Sequence, residues 1–441
     1  MGAAAPLAGQ AATIATLLTH TAHTESMALN LVWLGFFLVA FATACVQALQ
    51  GDMAVFGRLM AAMFDAAKTG FEIALGLAGV MALWLGVMRI GERAGMVDLL
   101  ARLAAPLLRQ LLPGVPAHHP AQAAMVMNLS ANLLGLDNAA TPLGLKAMQA
   151  LQTLNPRPAV ATDAQIMFIV LNTAGITLIP TSVIAIRQSM AVRQGLLQFN
   201  AADIFLPTLL ATMASFVAAM VAVAAFQRLP LWRLRFLLPL AALAAVALGL
   251  FAWLSRVPPE QAAQWAGLLG SLCIMAVVVA FLVAGALRRI NVYEAFIDGA
   301  KDGFGVAVQI IPYLVAVLVA VGVFRAAGCM DYLMRGLAVG VAALGMDTAF
   351  LPALPVGLMK ILSGAGARGL MVDVMQTYGV ASFPAKLAAI IQGSTETTFY
   401  VLAVYFGSVG IKNGRHALVC ALVADLVGLM AAVAIGYAFF R

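Results

Sequence analysis

The sequence predicts an all-α integral membrane protein, with about nine transmembrane helices plus two re-entrant hairpins and interfacial helices, arranged as two inverted repeats. Three observations predict it. First, 63% of the residues are hydrophobic and 10% charged, with a mean hydropathy of +0.99, whereas soluble domains carry about 25% charged residues. Second, apolar runs reach the roughly 20 residues that a helix needs to cross about 30 Å of hydrocarbon, without the alternation of barrel strands. Third, several motifs recur in the same order in both halves of the chain, and repeats fix architecture.

The net charge of +7 comes from Lys and Arg scattered among short loops. That pattern follows the positive-inside rule and does not point to nucleic acid. Cys45, Cys273, Cys329 and Cys420 are far apart in apolar surroundings, so they read as small core residues rather than metal ligands. No Lys or Arg precedes Arg58, which excludes a secretory signal with a positive n-region. Residues 1–27 read as an N-terminal extension, or as sequence ahead of a start at Met27.

In chain order, Leu29–Leu49 is a first span and Gly51–Thr69 an amphipathic interfacial segment. Phe71–Ile90 is a second span, and Gly95–Leu112, with Arg102 and Arg109 between Leu pairs, a second interfacial helix. Pro113 to Pro120 is a breaker zone; its adjacent His118 and His119 cannot share a helix face and read as loop. Ala121–Leu151 is apolar but carries Gly135, Pro142 and Gly144. These divide it into halves too short to span, the pattern of a re-entrant hairpin. Gln165–Ile186 is a span interrupted at Asn172-Thr173, Thr177 and Pro180. Ile204–Phe226 is a further span, while Phe236–Leu254 and Trp265–Leu287 are plain connectors.

The pattern then returns. Phe304–Phe324 spans, Met330–Leu344 is interfacial, Leu351–Gly369 is a second broken hairpin, and 385–407 and Ala417–Phe440 close the chain. Asp65-Ala-Ala-Lys-Thr-Gly-Phe71 matches Asp298-Gly-Ala-Lys-Asp-Gly-Phe304, and Gly95-Met-Val-Asp-Leu-Leu100 matches Gly328-Cys-Met-Asp-Tyr-Leu333, both at an offset of 233 residues. Pro142-Leu-Gly-Leu145 pairs with Pro355-Val-Gly-Leu358, and Asn172-Thr-Ala-Gly-Ile-Thr177 falls opposite Gln392-Gly-Ser-Thr-Glu-Thr397. An odd number of crossings separates equivalent points, so the second copy is upside down relative to the first. The domains are therefore 1–27, a first repeat at 28–226, connector helices at 227–287, and a second repeat at 288–441. Arg228, Arg233, Arg235, Arg288 and Arg289 put their loops on the cytoplasmic side, which leaves Arg187 and Arg193 outside.

The two hairpins and two interrupted spans carry the polar residues. Asn132, Asn138, Asn172 and Gln392 offer donors and acceptors to a neutral polar ligand, with Thr141, Thr173, Thr177, Ser363, Ser394, Thr395, Thr397 and Thr398 adding hydroxyls to that shell. The same amides and hydroxyls serve equally to satisfy the open backbone of broken helices or to glue helices together. Asp137 and Glu396 are candidate ion-coupling carboxylates for H⁺ or Na⁺, since a charge at that depth normally faces a cavity or an ion. Lys146 and Lys360 either bind an anionic group or snorkel from hairpin ends. Asp425 reads as a buried hydrogen-bond partner. No nucleophile–base pair, nucleotide loop or metal spacing is present, so an enzyme is not expected; Gly364-Ala-Gly-Ala-Arg-Gly369 lacks the strand–helix context of a phosphate loop.

Ala131-Asn-Leu-Leu-Gly-Leu-Asp-Asn-Ala-Ala-Thr-Pro-Leu-Gly-Leu-Lys-Ala-Met148, continued by Asn172-Thr and Leu178–Arg187, resembles the signature of spore maturation protein A. Gln392–Gly407, Val409-Gly-Ile-Lys412 and Leu362-Ser-Gly-Ala-Gly366 resemble spore maturation protein B. The chain thus looks like a fusion of the two from Met27 onward, except that Asp137 stands where the A-type pattern usually has Gly. The resemblance implies nucleoside-recognition gate-domain repeats, related to concentrative nucleoside transporters and ferrous-iron transporter gates, in a bacterial inner membrane. It implies no substrate.

Together these readings predict a secondary transporter of a small polar solute, nucleoside-like or a small carboxylate, working by alternating access, with lipid, the solute and a second copy of the chain as candidate partners. The alternative is a non-transporting membrane scaffold or regulator of envelope maturation, with a lipid-modifying enzyme a distant third.

Overall fold

Small residues spaced along two long helices set the centre of the molecule. The computed structural model describes most of residues 30–441; residues 1–29 and 230–244, most of 97–118 and 246–258, and positions 32, 134–136, 176, 178–179, 197 and 344 lie outside it. The segment 1–27, most of the interfacial segment Gly95–Leu112, His118 and most of the connector Phe236–Leu254 therefore fall outside the described residues. Helix α1 is Trp33–Leu49 and α2 is Val55–Arg93. The amphipathic segment Gly51–Thr69 is not a separate interfacial helix: from Val55 it runs without a break into the span that follows. No proline interrupts it, and the one glycine at the junction, Gly70, serves packing, because a Cβ there would lie 3.1 Å from Val315.

Val315 belongs to α9 (Val292–Ala326), which lies antiparallel along α2. Gly70 meets Val315 near one end, Met81 and Ala82 meet Gly303 farther along, and Leu85 meets Gly299 beyond that. A Cβ at Gly299 would sit 2.2 Å from the Leu85 carbonyl oxygen, so only glycine lets the backbones approach this closely, the usual device of membrane helix pairs. The two helices carry the matching motifs at Asp65 and Asp298 and lie antiparallel side by side. Arg89 pairs with Asp302, and Arg93 with Asp298 at 2.7 Å, at one end of the seam. Past each helix, Gly95 and Gly328 hold φ of +70° and +76°, the left-handed turn that glycine takes without penalty.

In the first half, α3 (Pro120–Leu133) and α4 (Asp137–Gln152) form a hairpin, tied by the Asn128 amide donating to the Ala140 carbonyl at 2.7 Å. The interrupted span becomes α5 (Asp163–Ala174) and α6 (Thr181–Arg193). Thr162 and Gln165 form a capping box at the start of α5. A short 3₁₀ turn, Ala201–Ile204, leads into α7 (Phe205–Gln227), and α8 is Pro259–Leu287.

The second half repeats this order. After α9 the chain bends by 76° into α10 (Cys329–Ala343). A hairpin follows, α11 (Leu354–Leu362) and α12 (Gly364–Tyr378), broken at the extended residue Ser363. The second interrupted span is α13 (Phe383–Ser394) and α14 (Thr398–Gly407), and α15 (Ala417–Phe440) completes the chain. α7 and α15 pack together, Ser215 donating to the Ala424 carbonyl at 3.0 Å.

Among the described residues no strand is present, only one isolated bridge between Val160 and Asn413. Among the described residues, five helical stretches are long and apolar enough to cross a membrane, six if the bent α9–α10 pair is one span. Exposed Leu268, Leu272, Met275, Val279 and Val283 on α8, with Leu38 and Phe41 on α1, face outward as a lipid-contacting surface. The protein is an all-α, multi-pass membrane protein.

Two closures join the halves. On one, Ala161 donates to the Asn413 carbonyl at 2.9 Å, Lys412 and Asn413 donate to Ala159, and Arg415 pairs with Asp163 at 2.6 Å. On the other, the Gln194 side chain donates to Met375 and accepts from the Val380 N–H, each at 2.9 Å. There Lys386 pairs with Asp203 at 3.0 Å, and Arg187 pairs with the same Asp203. Each closure joins the loop ahead of one broken span to the loop behind the other. Arg187, read from the sequence as an external loop charge, is instead fully buried. Its partner lies 16 residues on, in the 3₁₀ turn, and its guanidinium stacks over Phe199.

Candidate functional site

The two breaks meet. Gly175 ends α5 and Thr395 ends α13, and the Glu396 N–H donates to the Thr173 carbonyl at 2.8 Å. This one bond satisfies an α5 carbonyl that has no helical partner and pins the second break against the first. The Glu396 side chain lies against Gly175, where a Cβ would come within 3.0 Å of its Cγ. The Gly175 carbonyl in turn accepts from Thr212 of α7 at 2.7 Å.

Between the breaks lies a cavity of about 100 Å³. From the first half it is lined by Thr177 and the start of α6, Pro180 to Val183. From the second half it takes Lys360 at the end of α11, Gly364 and Arg368 at the start of α12, Gln392 and Gly393 at the end of α13, and the link Thr395–Thr397. Gly364 is confined by Thr397, whose Oγ1 would be 2.7 Å from a Cβ. Helix starts carry partial positive charge and helix ends partial negative charge. The starts of α6 and α12 and the end of α13 all border the cavity, so it meets partial charge of both signs. Ser363 caps α12 by accepting from the Gly366 N–H at 3.0 Å, whereas no side chain caps α6 or α14.

Of the residues singled out from the sequence, Thr177, Lys360, Gln392, Thr395, Glu396 and Thr397 line this cavity. Asn132 and Asn172 do not; they bond to each other at 2.8 Å, and Asn172 also donates to the Phe168 carbonyl of its own helix. Thr173 and Ser394 back-bond within their helices, to Val170 and Ile391. Thr398 donates to Asp425 at 2.6 Å, fully buried. Ser363 acts as the cap, Thr141 is half-buried on α4, and Lys146 is exposed. The side chains of Asp137 and Asn138 lie outside the described residues. Ser182, Gly364 and Arg368 were not among the sequence candidates. The sequence signal for Arg368 was its place one turn into a helix opened by Ser363, opposite Lys360 across the break.

The buried Gln392 Oε1 lacks a partner, as does the buried hydroxyl of Thr208 on α7, whose methyl packs on Gly393. Among the described residues no group of three His, Cys, Asp or Glu side chains could hold a metal ion.

A family model described as "Gate: Nucleoside recognition" matches residues 74–190 and 307–412, two stretches whose starts are separated by the same 233 residues as the sequence motifs. The chain is 42% identical to spore maturation protein B of Bacillus subtilis over 166 residues, 37% of this chain and 92% of that protein. It is 36% identical to spore maturation protein A of the same organism over 192 residues, 44% of this chain and 92% of that one. No solved structure matches the chain.

Proposed function

Because the chain belongs to the nucleoside-recognition gate family, a transporter-like family of membrane proteins, we propose that it is a secondary transporter that moves a small polar solute by alternating access. The observation that carries this reading is the polar cavity shared by the breaks of the two halves. Irregular backbone is tolerated at membrane depth only where protein buries it or where it lines a cavity, and broken helices around a midplane site are a common transporter plan. Rocking one half against the other would open the cavity first to one side and then to the other. Glu396 is the cavity's carboxylate among the described lining residues and serves as the coupling group for H⁺ or Na⁺. The family resemblance supports a bacterial inner membrane as its location.

A second reading, a non-transporting scaffold, is favoured by one observation: Asn132, Asn172 and Asn128 spend their amides on each other and on helix carbonyls. Uptake by proteoliposomes distinguishes the two. In the transporter, Glu396→Gln leaves a folded protein that no longer responds to an imposed H⁺ or Na⁺ gradient. In the scaffold, the unmodified protein moves no solute and the variant is only less stable.

A further inference from the structure

Resting on the transporter reading, we propose that the cavity takes a small zwitterionic solute of the α-amino-acid class. Its carboxylate faces Lys360, Arg368 and the first turns of α6 and α12, and its ammonium faces Glu396, Gln392 and the last turn of α13. Two observations carry this. The first is polarity: the cavity is lined by two cations, Lys360 and Arg368, and by one carboxylate, Glu396. A dipolar solute answers both signs, and a simple anion answers one.

The second is size and surface. About 100 Å³ is room for a few waters or one small solute. No aromatic side chain occurs among the described lining residues, so nothing is placed to stack on a nucleobase. In the empty protein, the ammonium's place beside Glu396 is the one a coupling cation takes.

The test is thermal unfolding of the detergent-purified full chain with L-alanine, lactate, ethylamine and uridine, each at about 10 mM, since a ligand that binds only the folded state raises its apparent stability. L-Alanine or another small amino acid should stabilise most, with lactate and ethylamine, each lacking one charged end, about tenfold weaker or worse. Glu396→Gln should weaken alanine about tenfold while leaving lactate unchanged, and Arg368→Gln should weaken both. Because the solute comparison uses the unmodified protein, it decides the matter even if a variant misfolds. Absence of protection by any small amino acid overturns the proposal. If lactate or uridine protects instead, the transporter reading stands with another substrate class. If no solute of a broad panel protects or accumulates in proteoliposomes, that reading falls as well.

Discussion

The backbone N–H of Glu396 and the carbonyl of Thr173 are bonded at 2.8 Å, joining the breaks of two helices more than 200 positions apart in the chain. The carboxylate that this bond positions rests on Gly175. Gly175→Val would put a side chain where the Glu396 Cγ now lies. Solute binding should fall about tenfold or more, each tenfold being about 1.4 kcal/mol, and overpacking should also lower the melting temperature without solute. Titration of the variant in the thermal-shift assay checks this, and unchanged affinity would remove Glu396 from the site.

The seam between α2 and α9 has no room for a side chain at Gly303, where a Cβ would meet the Met81 carbonyl oxygen at 2.5 Å. Gly303→Leu should destabilise the protein by about 1–3 kcal/mol or more, the usual range for overpacking. Gly305, with open space around it, is the control: Gly305→Leu should leave the unfolding midpoint nearly unchanged.

Arg187 and Asp203 form a buried ion pair to which Lys386 adds a second cation. Removing the carboxylate strands a buried guanidinium, so Asp203→Ala should cost about 3–5 kcal/mol. Asp302→Ala removes a partly exposed partner of Arg89 and should cost far less, as surface pairs do. Chemical unfolding of both variants in one detergent gives the comparison.

Thr398 donates to Asp425 at 2.6 Å in a fully buried setting. Thr398→Val leaves that carboxylate oxygen without a donor and should cost about 1–3 kcal/mol. Asp425→Asn keeps an acceptor there and should cost less. A double-mutant cycle with Asp425→Leu should show coupling between the positions, and additive effects would count against the bond.

His416 lies just outside the membrane-spanning part of α15, stacked on Phe226. Burial, reinforced by the neighbouring Arg415 charge, holds its pKa below the ordinary histidine value. A base with a depressed folded pKa binds its proton less readily folded than unfolded. Its contribution is therefore fully present above about pH 6.5 and is lost as pH falls through the lower folded value. Unfolding followed across pH 5 to 8 should show this acid-side loss, and His416→Gln should reduce it.

Much of this arrangement is written in local chemistry. Gly175 with Pro180, and Ser363-Gly364, announce where helices stop, because each either cannot continue a helix or caps the next one, whereas Pro142, read as a divider of the first hairpin, lies inside α4 without ending it. The motif pairs at Asp65 and Asp298 identify the two helices of the central seam. What the sequence conceals depends on distant partners. The run from Gly51 to Thr69 looks interfacial because its polar residues are visible, whereas the neighbour that holds it in line, α9, is far away in the chain. Asn132 and Asn172 look like ligand groups until their mutual hydrogen bond is seen. Arg368 gains meaning only when Gln392 and Ser182 arrive beside it, and no spacing rule links those three segments.

The two closures that join the halves are built alike but not equally. Asp163 and Arg415 are 57% and 36% exposed, whereas Asp203 and Lys386 are 11% and 17% exposed, with a fully buried Arg187 behind them. Salt and water weaken the first pair far more than the second. Under alternating access, one exit would then unlatch readily and the other reluctantly. Such lopsidedness cannot decide which way solute flows on balance, since the gradients alone do that. In such a cycle it would decide which half is slow, and hence on which face of the membrane the protein would spend most of its time waiting.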